Sequence, residues 1–113
     1  MWELMSSYLG SDVKSIQRQI ANHVEYTLAR TRFNFDNFGA YQAAAFSVRD
    51  RLLESWNDTQ QFHESNDAKK VFYFSLEFLM GRTFQNALVN SDLEAPFKNA
   101  LMEMGYDLEE LYE

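Results

Sequence analysis

With no cysteine among its 113 residues, the chain forms no disulfide or thiolate metal site and offers no cysteine nucleophile. This suits a reducing compartment, and the cytoplasm is the expected location. Glycine and proline are scarce, at four and one, and nowhere do the glycines gather into a phosphate-cradling loop. Histidine and glutamate do not pair at helical spacing, so no metal is expected. No serine stands in a strand-to-helix elbow. Basic runs are missing too. The net charge is -7, and without a Lys/Arg stripe interleaved with aromatics no nucleic-acid partner is expected. No apolar stretch approaches the roughly 20 residues that span a bilayer, and "MWELMSSYLGSD" lacks a basic segment followed by an apolar run. Neither a signal peptide nor a membrane helix is expected.

What is present is core material: 46% hydrophobic and 16% aromatic residues, enough for one domain. The charge is uneven. From Asp92 to Glu113 seven acids face one base, Lys98. Acidity of this kind favours solubility and says little about partners.

Ser11 and Asp12 give a helix-start signal, and Val13, Ile16, Ile20, Val24 and Leu28 follow at spacings of three and four. The pattern predicts an amphipathic helix over 12–30, with Lys14, Gln17, Arg18 and Asn22 on its polar side. Asp36 is the candidate N-cap of a second helix over 37–62, whose apolar stripe is Phe38, Tyr41, Ala45, Val48, Leu52 and Trp56. "HESNDAKK" ends it with loop-forming residues. Val71 to Phe74 are consecutive and bulky, the pattern of a strand covered on both faces over about 70–76, with a buried helix as the rival reading. Short helices are expected after Gly81, with Gly105 as a stop. A lone strand cannot satisfy its backbone hydrogen bonds. Either the segment is not a strand, or its neighbours lie outside the chain.

Few residues suggest chemistry by themselves. His23 and His63 read as structural or exposed. Arg49, Asp50 and Arg51 read as a solvated or ion-paired face, and Lys69 and Lys70 as flanks of the strand. Glu77 follows the apolar run at the end where open α/β sheets place their ligand crevices; read plainly it is a solvated strand-end acid. Trp56, Gln60 and Gln61 near the end of helix two offer a stacking ring with polar neighbours, or simply a packing residue. Composition, periodicity and spacing give an α/β fragment without an assignable activity.

Three motifs in order, "VRDRL...W..TQQ", "SLEFLMGR..QN" and "DLEELYE", make the chain closely resemble the N-terminal part of the glycogen phosphorylases, the α-1,4-glucan phosphorylases, from about Ser11 onward. The resemblance implies an α/β fold, with this chain as the partial N-terminal segment, 1–113, of a GT-B-like glycosyltransferase domain, mostly helical and holding its first strand. The implied reaction is phosphorolysis of terminal α-1,4-glucosidic bonds of glycogen to glucose 1-phosphate, with pyridoxal 5'-phosphate as cofactor, glucan and inorganic phosphate as substrates and a homodimer as the assembly. The cofactor's lysine is not expected within these residues, nor are the residues that hold the substrate phosphate. The chain alone is expected to be inactive.

Residue by residue, the resemblance places Glu77 near the catalytic pocket and puts Leu79 where muscle-type members have a tyrosine facing the cofactor. Trp56, Gln60 and Gln61 match the nucleotide-activator site, to which Glu64, Thr31 and Asn34 also correspond. Glu64 replaces the stacking tyrosine and Thr31 an aspartate; Asp58 replaces a phosphoserine-binding arginine whose companion, Arg32, is kept. The basic segment phosphorylated in animal members is not found before Ser11. Weakened AMP and phosphoserine switches are therefore expected. The alternative is a stand-alone helical interaction module that docks on a full-length phosphorylase.

Overall fold

A computed structural model describes residues 9–31, 33–79 and 81–112. Helix α1, Val13–Asn22, starts where the Asp12 carboxylate accepts the Ser15 N–H at 3.1 Å. Ile16 and Ile20 are fully buried, and Val13, Val24 and Leu28 pack at the edge of the same core. Beyond Asn22 the helix widens into a π-helical turn, His23–Thr27, closed by the Leu28 N–H on the His23 carbonyl at 2.8 Å. The Arg30 N–H then reaches back to the Val24 carbonyl, and Ala29, at φ 50°, turns the chain out of the helix.

Asp36 caps α2, Asn37–Ser65, by accepting the Gly39 N–H at 2.8 Å. A Cβ at Gly39 would sit 3.1 Å from the Phe35 ring, which would have to give by a few tenths of an ångström. At 1.5 Å per residue, 29 residues run about 43 Å, nearly the full 50 Å length of the molecule. The rest of the chain covers the first half. Gly39, Ala40, Ala43, Ala44, Ser47, Val48 and Arg51 are its buried residues, and none is buried beyond Arg51.

This corrects the expected stripe. Val48 is buried, but Phe38, Leu52 and Trp56 are exposed. At about 100° per residue the bulky stripe lies about 110° around the helix from Ala40, Ala44 and Arg51. The small side chains face inward because they let neighbouring helices approach closely. Volume, rather than hydrophobicity alone, selects the packed face.

Helices α3 (Phe84–Asn90), α4 (Glu94–Glu103) and α5 (Leu108–Leu111) complete the core with Leu88, Phe97, Ala100, Leu101 and Leu108. α4 stops at Gly105, φ 90°, where the Tyr106 N–H bonds the Leu101 carbonyl and the Gly105 N–H the Met102 carbonyl. That six-to-one and five-to-two pattern needs a left-handed residue. α2 and α3 end on the same bonds with Asp67 and Asp92 in that conformation.

No strand forms among the described residues. The strand expected over 70–76 is not formed by this chain on its own, where the segment is irregular and exposed: Val71, Phe72, Tyr73 and Phe74 are 72–91% exposed. The cause is the one that made a lone strand doubtful, since no ladder partner lies alongside. Phe72 and Phe74 nonetheless stack at 6.3 Å, a same-side placement two residues apart, as in an alternating backbone. No described helix is long and apolar enough to cross a membrane.

Two outcomes test this packing. Ala44→Leu is expected to destabilise the chain by about 1–3 kcal/mol through overpacking, whereas Trp56→Ala changes stability by less than about 0.5 kcal/mol; urea denaturation checks both. The Ser15 hydroxyl and N–H hold the Asp12 carboxyl below its ordinary value of 3.8. Ionised Asp12 therefore contributes stability above that value, and the contribution is lost as pH falls through the lower folded-state value. Asp12→Asn is expected to remove that part of the acid limb, leaving a flatter stability curve below about pH 4.

Candidate functional site

The best-defined polar constellation joins α1 to the first half of α2. The His23 Nε2 lies 2.7 Å from the Asp50 Oδ2, which also accepts the Gln19 Nε2–H at 2.9 Å. The Nδ1 meets the Thr27 hydroxyl at 2.8 Å, and the ring stacks on Phe46 at 5.5 Å. One imidazole thereby ties the π-helical turn to α2. Beside it Arg51 is 8% exposed. Its guanidinium donates to the Gln19 Oε1, to the Ser47 carbonyl and hydroxyl, and to the Gly10 carbonyl at 2.7 Å. It also lies 5.5 Å from the centre of the Phe97 ring. Burial pushes its pKa down, with Glu54, Asp50 and Asp12 opposing; an arginine stays charged regardless. The Arg51 Nε is buried without an acceptor among the described residues.

The sequence-selected positions fall elsewhere. Trp56, Gln60 and Glu64 follow one another at intervals of four on the projecting half of α2, a single stripe. Trp56 is 58% exposed, Gln61 and Glu64 are exposed, and Gln60 is half-buried. Thr31 and Asn34 meet in one turn of the connection between the helices, where the Asn34 N–H donates to the Thr31 carbonyl at 3.0 Å. Arg32 lies outside the described residues. The positions thus form two groups, one on the helix face and one in the turn. Glu77 is exposed on the irregular segment, its N–H held by the Ser75 hydroxyl at 3.0 Å.

A cleft of about 910 Å³ opens where the start of α2, residues 81–85 and α5 converge, lined by Tyr41, Arg82, Phe84, Glu94, Lys98 and Tyr112 among others. Arg82 crosses it to the Tyr112 carbonyl at 3.3 Å. Burial pushes the Tyr112 phenol up, and its hydroxyl is buried without a partner among the described residues. Lys98 pairs with Glu109 at 3.0 Å, and that carboxylate pushes its pKa up.

That pairing bears on pyridoxal phosphate. A Schiff-base lysine works from a neutral, desolvated amine. Lys98 is held in the opposite direction, and Lys14, Lys69 and Lys70 are exposed. The lysines of this chain do not fit the cofactor.

Sequence reasoning missed the α1–α2 junction. Asp50 and Arg51 were expected on a solvated or ion-paired face; Asp50 does pair, with His23, but Arg51 is buried. The available signal was Gln19, Ser47 and Arg51 on facing helices, visible only once the packed face of α2 is known. His63 is exposed, its ring 6.1 Å from that of Phe62.

No protein-family model matches the chain. It is similar to glycogen phosphorylase 2 of Dictyostelium discoideum, 43% identical over 113 residues, which is all of this chain and 11% of that protein. It is 42% identical over 111 residues to glycogen phosphorylase of Saccharomyces cerevisiae, covering 87% of this chain and 12% of the relative. With the chloroplastic/amyloplastic alpha-1,4 glucan phosphorylase L-2 isozyme of Solanum tuberosum it shares 40% identity over 100 residues, 88% of this chain and 10% of the relative. The chain thus spans about a tenth of the length of these curated relatives.

The junction makes a measurable prediction. Arg51→Met removes the donor to the Gly10 carbonyl and to Ser47 and is expected to cost about 3 kcal/mol, with Arg51→Lys intermediate because an ammonium cannot reproduce the fork. Chemical denaturation of the two variants checks the order.

Proposed function

Since the chain belongs to the glycogen phosphorylase family, we propose that it serves as a segment of an α-glucan phosphorylase, supplying surface helices and one strand to a GT-B-like catalytic domain. In the reaction inorganic phosphate forms a bond to the anomeric carbon of the terminal glucose, the α-1,4 C–O bond breaks, and the released glucan oxygen takes a proton. Glucose 1-phosphate and a glucan one residue shorter result. The observation that carries this reading is the conjunction of family membership with the exposed run Val71–Phe74. Such a run is buried on both faces when parallel strands flank it. The resemblance implies pyridoxal phosphate, which when bound supplies a phosphate group for proton exchange; its lysine belongs outside these residues, and no step is assigned to this chain through it.

The roles left to this chain are structural and regulatory. Glu77, at the end of the apolar run, stands close to the catalytic pocket in the assembled domain. The stripe Trp56, Gln60 and Glu64, with Gln61 beside it, forms an effector face completed by Thr31 and Asn34 of a second subunit in a homodimer. Glu64 is exposed, and a carboxylate at such a face opposes a nucleotide phosphate by about 1 kcal/mol or more at 4 Å even in bulk water. AMP is therefore a weak activator.

The test is the endogenous product, captured with an antibody to residues 54–70. The expected product has a mass several times 13.3 kDa, releases glucose 1-phosphate from glycogen and phosphate, and gains less than about twofold from AMP. That bound corresponds to a coupling well below the usual 1–3 kcal/mol. A product near 13.3 kDa without activity contradicts the assignment, and strong activation by AMP contradicts the effector reading alone.

A further inference from the structure

The His23 ring is held from three sides. Its Nε2 lies 2.7 Å from the Asp50 carboxylate, its Nδ1 lies 2.8 Å from the Thr27 hydroxyl, and its face stacks on Phe46 of α2. A carboxylate only accepts, so the Nε2 carries the hydrogen between them, and in a neutral ring the Nδ1 then accepts the Thr27 hydroxyl. His23 and Thr27 are also the first and last residues of the π-helical turn. Four residues after Thr27 comes Thr31, whose carbonyl accepts the Asn34 N–H. We infer that the His23–Asp50 bond is a latch that keeps residues 23–27 in the π register and thereby positions the Thr31–Asn34 turn for effector binding. His23 is then a positioning residue. The inference rests on the effector reading above and adds what sets the geometry of that site.

A π-helical turn closes its bonds one residue later than an α-helix does, and it occurs mostly as a single turn, frequently at functional sites. Here the Leu28 N–H bonds the His23 carbonyl at 2.8 Å. In the α register the same N–H would take the Val24 carbonyl, which instead accepts the Arg30 N–H at 3.0 Å. Relaxing to that register would turn the residues beyond the latch by about 100° and shift them by about 1.5 Å. It would also displace the bond of Arg30, the neighbour of Thr31. The far end of the connection is fixed independently, by the Phe35 ring edge-on to Tyr106 at 5.5 Å and by the Asp36 cap on Gly39. The turn that carries Thr31 and Asn34 is therefore strung between a fixed end and an end whose register the latch decides. Among the described helices the π-helical turn packs only on α1 and α2. The rarer register persists because the side chain that opens the turn is tied to α2, and the latch needs no residue outside 23–50.

Amide exchange tests the latch, and AMP affinity tests what it positions. His23→Phe keeps a ring on Phe46 and removes both polar bonds. In the 113-residue chain and in the longer product alike, it is expected to speed exchange across residues 24–31 about tenfold or more, while residues 13–20 and 40–48 keep their protection. Thr27→Val removes one bond and is expected to give a smaller rise over the same residues; it serves in both measurements should His23→Phe not fold. AMP, the probe, is read in the longer product carrying Glu64→Gln, where loss of the carboxylate is expected to tighten it about fivefold. Adding His23→Phe to that variant is expected to weaken AMP about fivefold or more, with kcat and KM for glycogen and phosphate unchanged. Unchanged exchange over 24–31, a rise spread evenly through α1 and α2, or an AMP affinity indifferent to His23→Phe overturns the inference. Faster exchange over 24–31 with no AMP affinity in Glu64→Gln overturns the effector reading while supporting the latch.

Discussion

The close approach of α1 to the small-residue face of α2, with α4 packed on α1 in turn, is the constraint on which the described structure depends. Ala40, Ala43 and Ala44 present almost no side chain and are buried in the same core as Ile16, Ile20 and Phe97. Only at that separation can Gln19 and His23 span to Ser47, Asp50 and Arg51. The polar junction therefore follows from the alanine face. Its cost is a guanidinium taken out of water, offset by the oxygens of Gln19, Ser47 and Gly10 around Nη1 and Nη2, while Nε stays without an acceptor among the described residues.

The same junction divides α2. Up to Arg51 the helix belongs to the core; beyond it the helix runs on for fourteen residues to Ser65, none of them buried, with the Glu54 carboxylate accepting the Leu9 N–H near the start of that half. A helix half with so little tertiary packing draws little stability from propensity alone, and the aromatic segment that follows has no ladder partner among the described residues. The unpacked part of α2 and residues 71–79 are separated in sequence only by residues 66–70. They are also the parts with the most apolar surface still to cover, which fits a chain that spans about a tenth of its relatives' length.

Much of this was legible in the sequence. The stripe of helix one, the Asp36 cap and the Gly105 stop are local signals, set by periodicity and by the needs of single backbone groups. The packed face of α2 was not, because two candidate stripes compete on one helix and hydropathy favours the bulkier. The π-helical turn escaped for a related reason, since the bonds of His23 to Asp50 and Thr27 hold it in place and Asp50 lies on another helix. Residues 70–76 carry a strand-like pattern whose expression needs neighbours, and pattern alone does not supply them. Of the candidate site positions, the resemblance selected Trp56, Gln60, Gln61, Glu64, Thr31 and Asn34 by motif. The structure sorts them into a helix stripe and a turn, while the junction residues carried no motif at all.

The central proposal is that residues 70–76 become a strand where flanking strands cover them, rather than remaining a surface loop. Amide hydrogen exchange across this segment tests it most directly, comparing the dilute 113-residue chain with the endogenous product that carries the same sequence. The account predicts exchange close to that of an unstructured peptide in the dilute chain and strong protection in the endogenous product, where flanking strands satisfy the backbone. Rapid exchange in both would show that the segment remains an exposed loop and would contradict the account.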